Sequence, residues 1–280
     1  MFLKKAILSL SLLVVLLSSC TEYQKVLKST DTEYKYRKAK EYYAAEKYYK
    51  AYPLLEELVT LYRGTQRAEE LYYMWAYCDY FSNDLLLASH RFTQFTKTFP
   101  TSDKNEECKF MSAYCQYLLS PTYRLEQTST VQAIDELQLY LTEYPNSKKH
   151  DTINILIDEL EGKLERKSFE SGKLYLKTQH YNAAVITFNN SLNDFPDTEY
   201  REEIFYLIFK SHYELSLKSV ETKQLSRIEE GMKAYRTFVD KYPNSKYLRS
   251  AENMYEELSA LKIERLEAQE EEKSKAEKNS

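Results

Sequence analysis

Apolar residues recur along this chain at helical spacing, and small residues punctuate them at fixed intervals. Five successive stretches each centre on one small residue: Ala39, Ala76, Ala113, Gly172 and Ser211. In the first, second and fourth, a second small residue follows twelve positions on, at Ala51, Ala88 and Ala184. A large apolar residue comes four beyond it, Leu55, Phe92 or Phe188, and eight more positions reach Arg63, Pro100 or Pro196. Each stretch therefore predicts two antiparallel helices that cross closely at their small residues. In the third and fifth the gap is twenty, from Ala113 to Ala133 and from Ser211 to Gly231, so the same eight residues are inserted between the two helices. Leu137 and Pro145, and Tyr235 and Pro243, then return to register. Tyr247 to Leu261 repeats the spacing once more, through Leu248, Ala251, Tyr255, Leu258 and Leu261, and predicts a capping helix.

Four of these helix ends share one motif: an aromatic, a proline, any residue, then a hydroxyl. The copies are Phe99-Pro100-Thr101-Ser102, Tyr144-Pro145-Asn146-Ser147, Phe195-Pro196-Asp197-Thr198 and Tyr242-Pro243-Asn244-Ser245. Proline cannot continue a helix, and the hydroxyl beyond it is expected to cap the next one. The whole pattern resembles the tetratricopeptide repeat, and best so at Gly172-x-x-Tyr175, Ala184-x-x-x-Phe188 and Pro196. The expected fold is all-α: a tetratricopeptide-repeat solenoid of about five helix pairs with a C-terminal capping helix. Expected core aromatics are Tyr72, Trp75, Phe92, Tyr175 and Phe188. Lys262 to Ser280, with 11 charged residues in 19, reads as a solvated tail at 262–280.

Composition agrees with a helical surface. Four glycines and six prolines in 280 residues are too few for a β-sandwich with many tight turns. The unusual component is 27 tyrosines, whose apolar rings and polar tips suit packed interfaces and peptide-binding faces. A formal net charge of −4 without a basic cluster argues against nucleic acid and against attachment by a cationic surface.

The first residues read as an address. Lys4 and Lys5 precede an apolar run from Ala6 to Leu17, too short to span a bilayer and sized for a signal-peptide core. It ends in Leu17-Ser18-Ser19-Cys20, which resembles the bacterial lipobox, the site where cleavage leaves an acylated cysteine. The expectation is a signal peptide over 1–19 and a lipidated linker over 20–32 beginning at Cys20. Several acyl chains on one residue give stable anchoring, at about 0.8 kcal/mol per buried CH₂. Thr21, where aspartate does not stand, implies the outer membrane. Of the remaining cysteines, Cys108 and Cys115 are seven apart on one helix, about 10.5 Å, too far to bridge. Core packing is expected for Cys78, Cys108 and Cys115, with a Cys78–Cys108 bridge as the alternative.

Counted from the small anchor, positions −3, +1 and +4 of each first helix share one face. The first two pairs place Tyr36, Lys40, Tyr43 and Tyr73, Tyr77, Tyr80 there, and the third places Phe110, Tyr114, Tyr117. The fourth and fifth place Phe169, Lys173, Leu176 and Ile208, His212, Leu215. Eight of nine positions are aromatic in the first three pairs and one of six in the last two, so a peptide-binding groove is expected at the amino end. Repeats one to three, 33–147, are the expected substrate groove; repeats four and five with the cap, 148–261, are the expected docking surface.

Catalytic and metal patterns are missing. His90, His150, His180 and His212 have no ligand spacing, and no nucleophile elbow, glycine-rich phosphate loop or HExxH occurs. Paired acids such as Glu56-Glu57, Glu69-Glu70 and Glu202-Glu203 read as solvated helix faces. No cofactor and no enzymatic activity are expected.

A lipobox, five such repeats, Tyr-Pro-Asn-Ser helix ends and inserts in repeats three and five together resemble the BamD family. These are the tetratricopeptide-repeat lipoproteins of the machinery that assembles β-barrels in the bacterial outer membrane. The resemblance implies attachment to the periplasmic face of the outer membrane. It also implies an amino-terminal half that receives targeting segments of unfolded barrel proteins. The carboxy-terminal half is implied to dock a BamA-like barrel-forming subunit, with other subunits of the complex as further partners. Two rivals share the repeat: a periplasmic scaffold of envelope maintenance or division, and a nutrient-capture lipoprotein, for whose extra ligand domain this chain has no room.

Overall fold

The computed structural model describes residues 22–278, with backbone alone at the last few. Among the described residues the chain forms twelve helices and no strand. They are α1 (22–28), α2 (Thr32–Ala44), α3 (Tyr48–Leu61), α4 (Arg67–Phe81), α5 (Leu85–Thr98) and α6 (Asn105–Leu119). Then come α7 (Thr128–Glu143), α8 (His150–Lys177), α9 (Tyr181–Asp194), α10 (Arg201–Leu217), α11 (Glu221–Lys241) and α12 (Leu248–Lys278). The all-α tetratricopeptide architecture holds: five helix pairs run from α2 to α11, and α12 follows as the cap. The chain divides into two compact units, 1–160 and 161–280. The signal segment and Cys20 lie outside the described residues.

In the amino-terminal unit, the anchors do what their size suggests. Ala39, Ala51, Ala76, Ala88, Ala113 and Ala133 are completely buried, because two helix backbones can approach only where side chains are small. Leu54, Leu55, Leu58, Phe92, Phe95 and Tyr140 fill the space beside them, each burial contributing about 1.5–3 kcal/mol. Residues 22–28, inside the expected linker, are helical: Val26 is fully buried against Ala39, Tyr42 and Leu54. In the carboxy-terminal unit one cluster runs from Phe169, Ala184 and Phe188 through Ile204 and Phe209 to Phe238, Ala251 and Leu258. Tyr175 departs from the expectation of a core aromatic. It is 42% exposed and only edges His180, because Phe188 already fills the space beside Gly172.

The aromatic-proline motif forms two consecutive turns. The amides of Ser102, Ser147, Thr198 and Ser245 donate to the aromatic carbonyls of Phe99, Tyr144, Phe195 and Tyr242 at 3.0–3.2 Å. The hydroxyl accepts from the amide two residues on, for instance Lys104 N to Ser102 Oγ at 3.1 Å. It is thus a turn acceptor ahead of the helix, and the expected side-chain cap is not what it makes. Each hydroxyl also donates to a glutamate on the first helix of its own pair, in the first turn of α4, α6 and α10 and midway along α8. Ser102 reaches Glu69 (2.7 Å), Ser147 reaches Glu106 (2.7 Å), Thr198 reaches Glu165 and Ser245 reaches Glu202 (2.6 Å). One end of each of those pairs is thereby clasped shut.

Candidate functional site

The expected groove residues lie on α2, α4 and α6, all within the amino-terminal unit. On α4, the rings of Tyr73 and Tyr77 are 4.8 Å apart, and Tyr77 meets Tyr80 (6.2 Å) edge-on. On α6, Phe110, Tyr114 and Tyr117 form a stack with spacings of 5.5 and 5.7 Å and interplanar angles of 16°. Helical rise at i, i+4 and i, i+3 places such rings over one another. Tyr43, Tyr73, Tyr80, Phe110 and Tyr114 all pack against one buried cluster, and Tyr77 belongs to that cluster. Tyr36 sits apart, with its ring 6.1 Å from Tyr62 and under the Arg67 guanidinium at 4.7 Å.

Exposure separates the eight. Tyr77 is only 9% exposed, and its ring meets Phe92 of the core at 5.0 Å. The other seven are half-buried, each with part of its ring at the surface. Tyr77 therefore serves the core first, and its truncation would remove a packed ring.

Four of the hydroxyls are engaged by carboxylates of a later helix. Tyr36 donates to Glu70 (2.5 Å), Tyr73 to Glu107 (3.0 Å), Tyr77 also to Glu107, and Tyr117 to Glu159 (2.5 Å). Burial, then the Glu107 hydrogen bond, pushes the Tyr73 phenol up to about 12 and Tyr77 further still. The hydrogen bond to Glu159, then burial, raises Tyr117 to about 12. These phenols stay protonated at any physiological pH. A ligand at this face meets ring surfaces rimmed by Glu70, Glu107 and Glu159, and Lys40 holds Glu70 at 2.7 Å.

Two ring residues escaped the −3, +1, +4 register. Phe81, 49% exposed, stacks on Tyr48 of α3 at 4.6 Å, and Tyr48 meets Tyr43 at 5.7 Å. Together they carry the ring surface from α2 to α4. They sit at the turn ends of their helices, where the face assignment drifts, so spacing did not find them. In the carboxy-terminal unit two of the six equivalent positions are spent on packing: Phe169 is 3% exposed and stacked on Tyr200 at 4.3 Å, and Ile208 is 8% exposed. Lys173, Leu176, His212 and Leu215 are half-buried and carry no aromatic ring of the Phe, Tyr or Trp kind. Among the described residues no group of His, Cys, Asp or Glu could hold a metal ion, and no helix is long and apolar enough to cross a membrane.

Residues 28–228 match the YfiO family, described as outer membrane lipoproteins. The chain belongs to that family. A relative is the outer membrane protein assembly factor BamD of Rickettsia prowazekii (strain Madrid E), 25% identical over 138 residues. That match covers 49% of this chain and 51% of the relative, so the chain spans about half the length of the curated protein it matches. Among solved structures, the tetratricopeptide domain of P58(IPK) aligns over 85% of this chain and 68% of its own, at 12% identity and a TM-score of 0.40.

Proposed function

We propose that this chain is a non-enzymatic assembly lipoprotein of the outer membrane, anchored on the periplasmic face through acylated Cys20. Its amino-terminal aromatic face receives targeting segments of unfolded barrel proteins. Its carboxy-terminal unit docks the barrel-forming subunit of the assembly complex. The family match and the BamD relative support the broad role; the ring surface supports the ligand class. The observation that carries the reading is the run of half-buried rings at the −3, +1 and +4 positions of α2, α4 and α6, which ends in the Phe110-Tyr114-Tyr117 stack. Aromatic faces bind extended apolar segments by burying side chains against rigid rings at small entropic cost.

The test uses Tyr80→Ala/Tyr114→Ala, which leaves the buried Tyr77 in place. Fluorescence polarisation with a carboxy-terminal peptide of an outer membrane barrel protein is expected to show at least about tenfold weaker binding. Thermal melting is expected to stay within a few degrees. Unchanged affinity would reject the ligand role. Depletion in cells followed by an inventory of outer membrane barrels tests the broader role, since intact barrels would favour an envelope scaffold. Cys20→Ala is expected to abolish palmitate labelling and release the protein from membranes.

A further inference from the structure

Helix α1 starts at one particular edge of the amino-terminal unit. Successive helices of that unit pack in antiparallel order, so the turns inside pairs, α2–α3, α4–α5 and α6–α7, share one edge. The aromatic-proline motifs share the other. Tyr48, at the start of α3, stacks on Phe81, at the end of α4, so the first two of these turns are neighbours. Tyr23, in the first turn of α1, meets Tyr42, in the last turn of α2, at 5.8 Å. The Lys50 ammonium, in the first turn of α3, lies 5.4–5.7 Å from the ring centres of Tyr23, Tyr42 and Tyr49. These contacts tie the start of α1 to the edge of the within-pair turns, and Val26, fully buried one turn on, holds the helix there.

The reach of the chain gives that edge its significance. Cys20 precedes Glu22 by two residues, and two residues span at most about 7 Å. Acyl chains on Cys20 would lie in hydrocarbon and hold the residue itself among lipid headgroups. The start of α1 then lies within the same short distance of the bilayer. Lengthening the tether by unwinding α1 would expose Val26 and Leu27, which pack on the first pair. The unit therefore has little slack with which to hang clear of the membrane.

The edge is suited to an interface. Tyr49 and Leu86, each ten residues beyond the anchor of its pair, are 70% and 67% exposed. Single exposed apolar residues are ordinary on a protein surface, so it is their place beside the tether that selects the partner. Charges of both signs surround them, Lys47 and Lys50 against Glu46 and Asp84. An edge of balanced charge with a projecting tyrosine and leucine fits the zwitterionic headgroup region, where tyrosine rings settle and lysine stems extend toward phosphates. A nucleic acid would require a net positive surface.

We infer that the within-pair turn edge of the first two repeats rests on the phospholipid bilayer, with Tyr49 and Leu86 in its interface and Lys47 and Lys50 at the phosphates. The inference rests on acylation of Cys20 and goes beyond it, because the anchor then fixes how the unit is turned as well as where it is held. Helices α2 and α4 end at this edge, so their ring-bearing faces run up to the membrane surface.

The experiment uses the full acylated chain, purified without partners, in vesicles of phosphatidylcholine and phosphatidylethanolamine. Tyr49→Cys, Leu86→Cys and Leu61→Cys are each labelled with the fluorophore NBD, while Cys78, Cys108 and Cys115 are buried. Leu61, 56% exposed at the far end of α3 and about 18 Å along that helix from Tyr49, is the control. Far-ultraviolet melting checks that the three variants fold alike. With a phospholipid bearing a nitroxide at the top of its acyl chain, labels at 49 and 86 are expected to lose most of their fluorescence and to emit further to the blue. The label at 61 is expected to keep its intensity. A chain that does not float with the vesicles would reject the acyl anchor and this inference with it. Flotation with equal quenching at the three sites, or with none at 49 and 86, would overturn the inference alone.

Discussion

Gly172 shows how a single missing atom sets a helix crossing. A Cβ there would lie 2.5 Å from the Phe188 ring, closer than real contacts allow. Gly172→Ala is expected to lower stability by about 1–3 kcal/mol, measured by urea unfolding, because the ring has no free space to retreat into. The opposite strategy applies at three turns. Glu46, Asn83 and Gln179 adopt φ values of 57, 62 and 65°, each seven residues beyond the anchor of its pair. Only the uninserted pairs carry this turn, and a side chain is unfavourable in that left-handed conformation. Gln179→Gly is expected to raise stability by a few tenths of a kcal/mol up to about 1, against the usual loss for glycine in a helix. The three described cysteines are free and buried, and burial pushes each thiol up to about 12. Reaction with a disulfide reagent at pH 8 is therefore expected only after unfolding, with all three thiols then titrating together. The sequence showed where small residues belong; it did not separate Tyr77, which is core, from Tyr80 one turn on, which is not.

Elements respond differently to the same insertion. In the third pair, the eight extra residues form an irregular loop from Ser120 to Gln127 that begins with Pro121 after the last turn of α6. Gln127, 6% exposed, ties this loop shut by donating to the carbonyls of Thr122 and Leu125 at 2.9 Å, while Thr130 donates to it at 2.7 Å. Gln127→Ala is expected to make the loop the first site of limited proteolysis, cleaved before any helix, with a loss of about 1–3 kcal/mol. In the fifth pair, the same length lacks proline and becomes extra helix, giving α11 21 residues against 14 in α9. Gln224 and Ile228 face inward there and pack the added turns. Spacing revealed the insertion twice; its conformation followed from proline in one case and from inward-facing residues in the other. The glutamate clasps were not legible in the sequence. Their partners are 33 to 43 residues apart, and surface glutamates are too common for one to stand out.

For the molecule as a whole, buried and clasped carboxylates set opposing pH dependences. Asp79 is 2% exposed, and burial pushes its carboxyl up to about 6 even though Arg91 contacts it and stacks on Trp75. An acid raised in the folded state stabilises most below its ordinary 3.8, and that contribution is lost as pH rises through about 6. Glu69 and Glu106 are lowered from 4.5 by their clasping hydroxyls, so their contribution is present above that value and is lost as pH falls. The melting temperature is expected to be highest near pH 4.5, to decline as pH rises from there to about 6, and to decline again on acidification. Asp79→Asn is expected to flatten the neutral limb, and Glu106→Gln to blunt the acid limb by about 0.2–1 kcal/mol, since that clasp is only partly buried. Asp79→Ala, by stranding the buried Arg91, is expected to cost about 3–5 kcal/mol.

Periodicity in one dimension was enough for the helix pairs, their small-residue crossings and the aromatic bias of the −3, +1 and +4 positions in the first three pairs. Those features repeat at fixed separations, and helical geometry turns separation directly into direction. The clasps, the Asp79–Arg91 pair and the carboxylates that occupy the tyrosine hydroxyls required the folded structure. Each joins residues from different helices, and their distance depends on how closely two backbones approach, which no single segment encodes.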